Sequence, residues 1–249
     1  MLKVMKYAIS FVPFALFASA CASDFPDMIE RQKDKLIQET EELGTKLQLY
    51  LKKQATIEHV PFLQQLPELQ RGCEVTSLAM LLQYGGVNVD KMTLAQEIAK
   101  VPFQTAGKHG NPNEGFVGNI YTFSQPGYGV YHKPIYELAQ RYAPGKVIDL
   151  TGRDIEAVYK MISLGSPVWV ITNATFQSLP DSKFETWQTS TGEAKITYHE
   201  HSVVIVGYDE TYVYVNDPLE TGPRTAHPRK QFEQAWVQMG KQAISLLPE

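Results

Sequence analysis

The chain has 249 residues, with 23 basic and 27 acidic side chains and a formal net charge of -4. Its 43% hydrophobic and 11% aromatic content is typical of a globular protein and argues against a disordered chain. It has no Lys/Arg-rich block outside the N-terminus, so we expect no nucleic-acid partner.

Residues 1–20 have the pattern of an export signal. Lys3 and Lys6 precede an apolar stretch over residues 7–20 that ends in small side chains. A permanent membrane helix needs roughly 20 apolar residues, so this shorter stretch predicts a removable signal peptide. The run Ala18-Ser19-Ala20-Cys21 resembles the lipobox of bacterial lipoproteins, whose cysteine is lipidated after cleavage. We therefore expect an exported lipoprotein of the cell envelope, anchored to the membrane through Cys21, with free secretion as the alternative.

Residues 21–56 predict a polar helical linker. They are rich in Glu, Lys and Gln, and the apolar positions recur at helical spacing: Met28, Leu36, Leu43, Leu47 and Leu51. The remaining residues 57–249 are enough for one domain with a sizeable core and too few for two.

The elements of that domain predict an α+β fold, with helices early and strands late. The apolar patterns predict helices over residues 73–84, 93–100, 134–142 and 154–164. A buried strand is expected over residues 167–172, and an antiparallel hairpin over residues 201–208 and 212–216. Residues 107–129 are rich in Gly, Asn and Pro and predict a long loop, which with Trp187 would shape a cleft.

Cys73 is the candidate nucleophile. The chain has two cysteines, so if Cys21 is lipidated or removed, Cys73 has no partner for an intrachain disulfide. Cys73 follows Gly72 at the predicted N-terminus of an apolar helix. The free N–H groups and the helix dipole at such a position lower a cysteine pKa from about 8.5 toward the reactive range. The alternative is an inert, buried thiol.

His201 is the candidate base, because a thiol nucleophile needs a group that exchanges protons near neutral pH. His199 and His201 lead into the apolar run over residues 202–206, about 6–7 Å apart on one strand face, so only one can reach a given sulfur. We choose His201, which is nearer the buried run. The other four histidines lie in predicted loops or helix starts: His59, His109, His132 and His227. A zinc pair at His199 and His201 lacks further ligands, so no metal is expected.

Asp217 is the candidate third member of a triad. A hairpin turn near Asp209 places residue 217 opposite residue 201, or one same-face step away, where its carboxylate can orient the imidazole. The alternative for Asn216-Asp217-Pro218 is an ordinary turn after a strand. For the oxyanion, the Cys73 N–H is one donor, and Gln64, Gln65 or Gln70 is a candidate for the second.

Several blocks of this sequence resemble the bacterial papain-like cysteine peptidases similar to the bacteriocin-processing, double-glycine leader peptidases. The blocks are residues 60–69 (VPFLQQLPEL), 72–82 (GCEVTSLAMLL), 115–118 (GFVG), 127–131 (GYGVY), 165–168 (GSPV), 200–209 (EHSVVIVGYD) and 216–218 (NDP). The resemblance spans residues 60–244, nearly the whole predicted domain.

The resemblance implies a papain-like fold, with Cys73 on an N-terminal helical part and His201 and Asp217 on a C-terminal antiparallel sheet. It implies these three residues as the triad, favours Gln65 over Gln64 for the oxyanion hole, and implies no cofactor. The leading hypothesis is therefore an exported peptidase or amidase that acts on a peptide or protein. Acyl transfer by the same triad, and a non-catalytic cell-surface binding domain of the same fold, are the alternatives.

Overall fold

The computed structural model describes residues 52–248 as a continuous segment. Three positions upstream of it are helical: Lys33, Lys35 and Ile37. The internal contacts of the chain divide it into two units, Met1–Leu49 and Tyr50–Glu249. The predicted export signal, and most of the predicted linker, lie outside the described residues. Within the described part, no helix combines the length and the apolar character needed to cross a membrane.

Five helices lie between residues 52 and 248: α1 (Cys73–Tyr84), α2 (Lys91–Glu97), α3 (His132–Tyr142), α4 (Ile155–Ser163) and α5 (Arg229–Gln238). The predicted bounds of α1 are confirmed, and the next three predicted helices are present with shifted ends. Helix α2 begins earlier than predicted because the Asp90 carboxylate accepts hydrogen bonds from the N–H groups of Met92 and Thr93, 2.8 and 2.9 Å away. Helix α5 was not predicted.

The strands of the described segment, in chain order, are β1 (Ala55–Thr56), β2 (Lys100–Val101), β3 (Gln104–Thr105), β4 (Lys108–His109), β5 (Phe116–Val117), β6 (Val147–Asp149), β7 (Val168–Asn173), β8 (Glu185–Thr189), β9 (Gly192–Ile196), β10 (Glu200–Tyr208), β11 (Tyr212–Asn216), β12 (Thr225–Pro228) and β13 (Ala243–Leu246). The largest sheet is antiparallel, in the order β12-β11-β10-β7-β13-β6, and β1 pairs with β10. The predicted buried strand and hairpin correspond to β7, β10 and β11. The α+β class is therefore confirmed.

Helix α1 packs against this sheet and is buried along most of its length. Every residue from Cys73 to Leu82 is buried, because β10 and β7 cover one side of the helix while α2 and α3 cover others. Burying a leucine side chain stabilises the fold by about 1.5–3 kcal/mol, so Leu78, Leu81 and Leu82 fix the helix firmly.

Two hydrogen bonds set the position of α1 relative to the sheet. The Ser77 hydroxyl donates to the carbonyl of Ser202 on β10, 3.0 Å away, and the Trp169 indole on β7 donates to the carbonyl of Glu74, 3.0 Å away. The N-terminus of α1 is thereby held beside the start of β10. The fold brings the candidate nucleophile and the candidate base to the same region.

A smaller sheet with the order β3-β4-β8-β9 was not predicted from the sequence. Its strands β8 and β9 form a hairpin, and Trp187 on β8 is 4% exposed, packed between His109 and Tyr128. The predicted long loop over residues 107–129 therefore contains two short strands, and much of it rests on this sheet.

Candidate active site

A cleft of about 460 Å³ opens where α1 meets β10. Cys73 and His201 both line it. Its other lining residues come from the segment before α1, the first turn of α1, the loop before α3, and the ends of β7, β10 and β11: Gln65, Leu66, Gln70, Arg71, Glu74, Phe123, Gly127, Tyr128, Ala174, Tyr198, Glu200 and Leu219. Part of the predicted long loop thus shapes the cleft, as expected. Trp187 lies behind the wall and supports Tyr128 and Tyr198.

Cys73 is the first residue of α1 and is 7% exposed. Its thiol donates a hydrogen bond to Glu74 Oε2, 3.3 Å away, and no hydrogen bond joins its sulfur to His201 in the described structure. Burial raises the pKa of the Cys73 thiol well above its ordinary value, and the negative charge of the neighbouring Glu74 raises it further. The prediction of a lowered pKa for this thiol is therefore wrong, because burial and the acidic Glu74 raise it.

His201 and Asp217 form the closest acid–base pair in the cleft region. His201 Nε2 lies 2.7 Å from Asp217 Oδ1, and both side chains are buried. An ionised carboxylate only accepts hydrogen bonds, so Nε2 carries the proton and Nδ1 is left as the acceptor. Burial opposes ionisation of Asp217, yet the hydrogen bond and electrostatic interaction with His201, with the Leu219 N–H, bring its pKa below the ordinary value.

The hairpin β10–β11 explains how these two residues meet. Val204 pairs with Asn216, so residue 217 continues toward the partner of residue 203, one same-face step from His201. This agrees with the spacing inferred from the sequence. His199 precedes β10, and neither lines the cleft nor contacts Asp217. Of the two candidate histidines, the fold therefore brings His201 to the site.

The three candidate glutamines have different environments. Gln65 is 3% exposed and lines the cleft, whereas Gln64 is exposed and donates its amide to the Glu220 carbonyl, 3.0 Å away. The Gln65 Nε2 lies 3.2 Å from the Leu69 carbonyl and 3.4 Å from the Gln70 carbonyl, and its Oε1 is buried without a partner. Gln70 also lines the cleft, and its Oε1 accepts from the Phe123 N–H. Gln65 is therefore the glutamine that is both buried and facing the cleft.

Glu74 and Glu200 bring two carboxyl groups to the floor of the cleft. One ligand atom from each, together with the Cys73 sulfur, lie within 4.8 Å of one another. Burial raises the pKa of Glu74 to about 7. Burial, with the charge of Glu74, raises the pKa of Glu200 well above its ordinary value. This pair of acids had no role in the interpretation of the sequence.

Comparison with known proteins adds three findings to this geometry. A profile of the Peptidase_C39 like family matches residues 57–244. The chain belongs to this family. An uncharacterised protein of Bacillus subtilis strain 168, YvpB, is 52% identical over 179 residues, which cover 72% of this chain and 70% of that protein. The crystal structure of a putative C39-like peptidase from Bacillus anthracis has 58% sequence identity and a TM-score of 0.78, covering 80% of this chain and 99% of that one.

Membership of the C39-like peptidases confirms the predicted papain-like fold and the predicted family. It supports peptidase activity in general terms. The matched range contains all four candidate site residues, Gln65, Cys73, His201 and Asp217. Their individual roles in this C39-like chain remain predictions.

One cluster of metal-ligating residue types occurs in the cleft of this C39-like protein. Across the described residues, Cys73, Glu74 and Glu200 are the one trio of metal-ligating residue types drawn close together. The trio contains no imidazole. The hydrogen bond from the Cys73 thiol to Glu74 explains why two of its three members lie close together.

One signal in the sequence could have identified the acidic pair. Glu74 directly follows the candidate nucleophile and Glu200 directly precedes the candidate base. Glu74 is also the one acidic residue in the first turn of a helix whose buried residues are mostly apolar, and acids are rarely buried without a specific role.

Proposed function

We propose that this C39-like chain is an exported thiol peptidase in which Cys73 is the nucleophile, His201 the base and Asp217 the residue that orients the base. The proposal rests on one observation. Cys73 and His201 line the same cleft, and His201 is held by the buried Asp217 through a 2.7 Å contact that leaves its Nδ1 as a proton acceptor. Nucleophile, base and orienting acid are the three parts that covalent catalysis by a thiol requires.

The chemistry assigned to each residue follows from these positions. His201 takes the thiol proton and the Cys73 sulfur attacks the peptide carbonyl, forming a C–S bond and an oxyanion. The Cys73 N–H and Gln65 are the proposed donors to that oxyanion. When the C–N bond breaks, His201 gives the proton to the leaving amine. Water, deprotonated by His201, then releases the acyl group from the thioester and restores the thiol.

The rim of the cleft supports a polypeptide substrate. Nine large hydrophobic side chains are exposed in the described part of the chain, and four of them line this cleft: Leu66, Phe123, Tyr198 and Leu219. Exposed apolar groups gathered around a polar floor are typical of a surface that binds apolar side chains of a partner. The site is therefore suited to peptides with apolar residues beside the bond that is cut.

A comparison of peptide-library digests tests the peptidase proposal. We expect the wild type to release new peptide termini, and Cys73→Ala and His201→Ala each to release fewer than about one hundredth as many, because each removes an essential proton or nucleophile. Circular dichroism would check that the variants are folded. Cleavage that survives in Cys73→Ala would refute the proposal. A wild type that cuts nothing, or that joins the acyl group to added amines instead of water, would favour the binding or acyltransfer alternatives.

We further propose that the chain is anchored in the cell envelope through a lipid on Cys21, on the strength of the lipobox-like run over residues 18–21. Cells expressing the wild type should incorporate labelled palmitate into the protein, and Cys21→Ser should abolish the label while Cys73→Ser keeps it. A labelled Cys21→Ser variant would contradict the anchor. An unlabelled wild type in the medium would indicate free secretion.

A further inference from the structure

Both carboxylate oxygens of Glu74 accept a hydrogen bond. Its Oε2 accepts from the Cys73 thiol, 3.3 Å away, and its Oε1 accepts from the Val130 N–H, 2.7 Å away. The side chain is 1% exposed. Because both oxygens receive donors, this is the carboxyl group of the pair that is equipped to carry the negative charge.

Glu200 has the opposite surroundings. Its Oε1 is sealed from solvent and has no hydrogen-bond partner in the described structure, and neither Glu200 nor Glu74 forms an ion pair with a described Lys or Arg. A charged oxygen in that position would lack any compensation, whereas a neutral carboxyl group is far cheaper to bury. Two carboxyl groups this close cannot both be ionised at low cost, so one proton belongs to the pair.

The loop before α3 holds the two carboxyl groups at this spacing. Gly129 lies against both, since a Cβ at that position would come within 2.6 Å of Glu74 Oε1 and 2.9 Å of Glu200 Oε2. The other charged or titratable groups facing the pair and its thiol are His201 on β10, Tyr128 and Tyr131 on this loop, and Arg71 and Tyr198 at the cleft, with Asp217 beyond His201.

We propose that Glu74 and Glu200 are positioning residues that keep Cys73 as a protonated thiol in the resting site, Glu74 by accepting its hydrogen bond and Glu200 by carrying the proton that lets the two carboxyl groups lie this close together. The resting site is then not a thiolate–imidazolium ion pair. The thiol must leave Glu74 before its proton passes to His201 Nδ1. This inference rests on the proposed function only in taking Cys73 as the nucleophile.

The two acids have different expected effects on the ionisation of Cys73, which can be measured without any substrate. In the full chain carrying Cys21→Ser, Cys73 is the remaining thiol, and its rate of alkylation by iodoacetamide against pH gives its ionisation midpoint. Glu74→Gln removes the charge beside the sulfur and should lower this midpoint by about 1 pH unit or more. Glu200→Gln resembles the neutral acid and should leave the midpoint close to that of the wild type.

The matched control is Glu156→Gln, which removes the same charge from an exposed position on α4 outside the cleft and should leave the midpoint unchanged. An unshifted midpoint in a folded Glu74→Gln variant would overturn the inference. Equal downward shifts in Glu74→Gln and Glu200→Gln would also overturn it, because Glu200 would then be charged.

Thermal stability against pH gives a second measurement that does not depend on Glu74→Gln folding. An acid whose pKa is raised in the folded state destabilises the fold as pH rises above its ordinary value of about 4.3, because only the unfolded chain ionises freely. Glu200→Gln should therefore melt close to the wild type near pH 4 and several degrees higher near pH 8. A protonated Glu200 would be contradicted if the variant and the wild type differed in melting temperature by the same amount at both pH values. It would also be contradicted if the variant melted at a lower temperature than the wild type near pH 8. An absence of peptidase activity would not contradict a protonated Glu200, because neither measurement uses a substrate. This inference and the proposed function can therefore fail separately.

Discussion

Neighbouring residues in this chain can have unrelated surroundings, and Gln64 and Gln65 are an example. Gln65 faces the cleft and is buried, with its Nε2 held near two backbone carbonyls and its Oε1 without a partner. Gln64 points away and bonds to the Glu220 carbonyl. Gln65 is the candidate oxyanion donor of the two, because its buried side chain faces the cleft while that of Gln64 is exposed.

Gln65→Ala should therefore lower kcat by about 10²–10³ while KM changes little, since an oxyanion donor acts mainly on the transition state. Gln64→Ala is the matched control and should keep kcat within about twofold of the wild type. Steady-state kinetics on a peptide found by the digest would measure both. Equal losses in the two variants, or a loss confined to KM in Gln65→Ala, would remove Gln65 from the oxyanion hole.

At the scale of elements, the site depends on how α1, β10 and the loop before α3 approach one another. Helix α1 supplies Cys73 and Glu74, β10 supplies Glu200 and His201, and the loop closes over the carboxyl pair at Gly129. The hydrogen bond between Ser77 and Ser202 fixes α1 relative to β10. The loop has less freedom than its glycine content suggests, because it packs directly on buried side chains.

Gly129→Ala tests this close approach. The added methyl group would lie 2.6 Å from Glu74 Oε1, so the loop or the carboxyl pair must move, and overpacking of this kind typically costs about 1–3 kcal/mol. Gly222→Ala is the matched control, since its added methyl group has no neighbour within 4 Å. Urea denaturation should show a lower free energy of unfolding for Gly129→Ala than for Gly222→Ala. Equal stabilities would mean that the loop yields easily and does not hold the pair.

At the scale of the whole molecule, four of the nine large hydrophobic side chains that are exposed among the described residues surround the cleft. Phe123 and Tyr198 are 63% and 60% exposed, and Leu66 and Leu219 are 48% and 47% exposed. Phe123 also lies under the Arg71 guanidinium, 4.6 Å from its ring centre, which keeps the ring in place. Such a rim contributes binding energy to any substrate that covers it.

We therefore expect Phe123→Ser and Leu219→Ser each to raise KM for an apolar peptide substrate by about tenfold with little change in kcat. Covering an aromatic or leucine side chain contributes about 1.5–3 kcal/mol, and about 1.4 kcal/mol corresponds to a factor of ten. Leu164→Ser, at a 52% exposed leucine outside the cleft, is the control. An unchanged KM in both rim variants would show that substrates do not cover this rim.

Much of this architecture could be predicted from the sequence, because it follows from local patterns. The apolar run of α1 and the hairpin of β10 and β11 are long and regular, and the hairpin register alone places Asp217 near His201. The β8–β9 hairpin and α5 could not be predicted because their hydrophobic patterns are short. Their burial depends on residues that are distant in the sequence, as when Trp187 of β8 packs on His109 and Tyr128.

The electrostatics of the site could not be predicted in the same way. From the sequence, the position of Cys73 at a helix N-terminus indicated a low thiol pKa. The burial of that thiol and its closeness to Glu200, 127 positions away on another element, depend on how α1 packs against β10. Only the assembled fold shows that acidic neighbours and burial oppose the helix dipole.

The bond from Ser77 to Ser202 joins residues that are 125 positions apart along the chain. A partly synthesised or unfolded chain that contains the first of these segments, but not the second, has Cys73 and Glu74 without the imidazole of His201. The proposed triad is therefore complete only when the last third of the chain has folded against the first. For the proposed peptidase, the compartment in which the chain folds is the one in which its substrates would be cut.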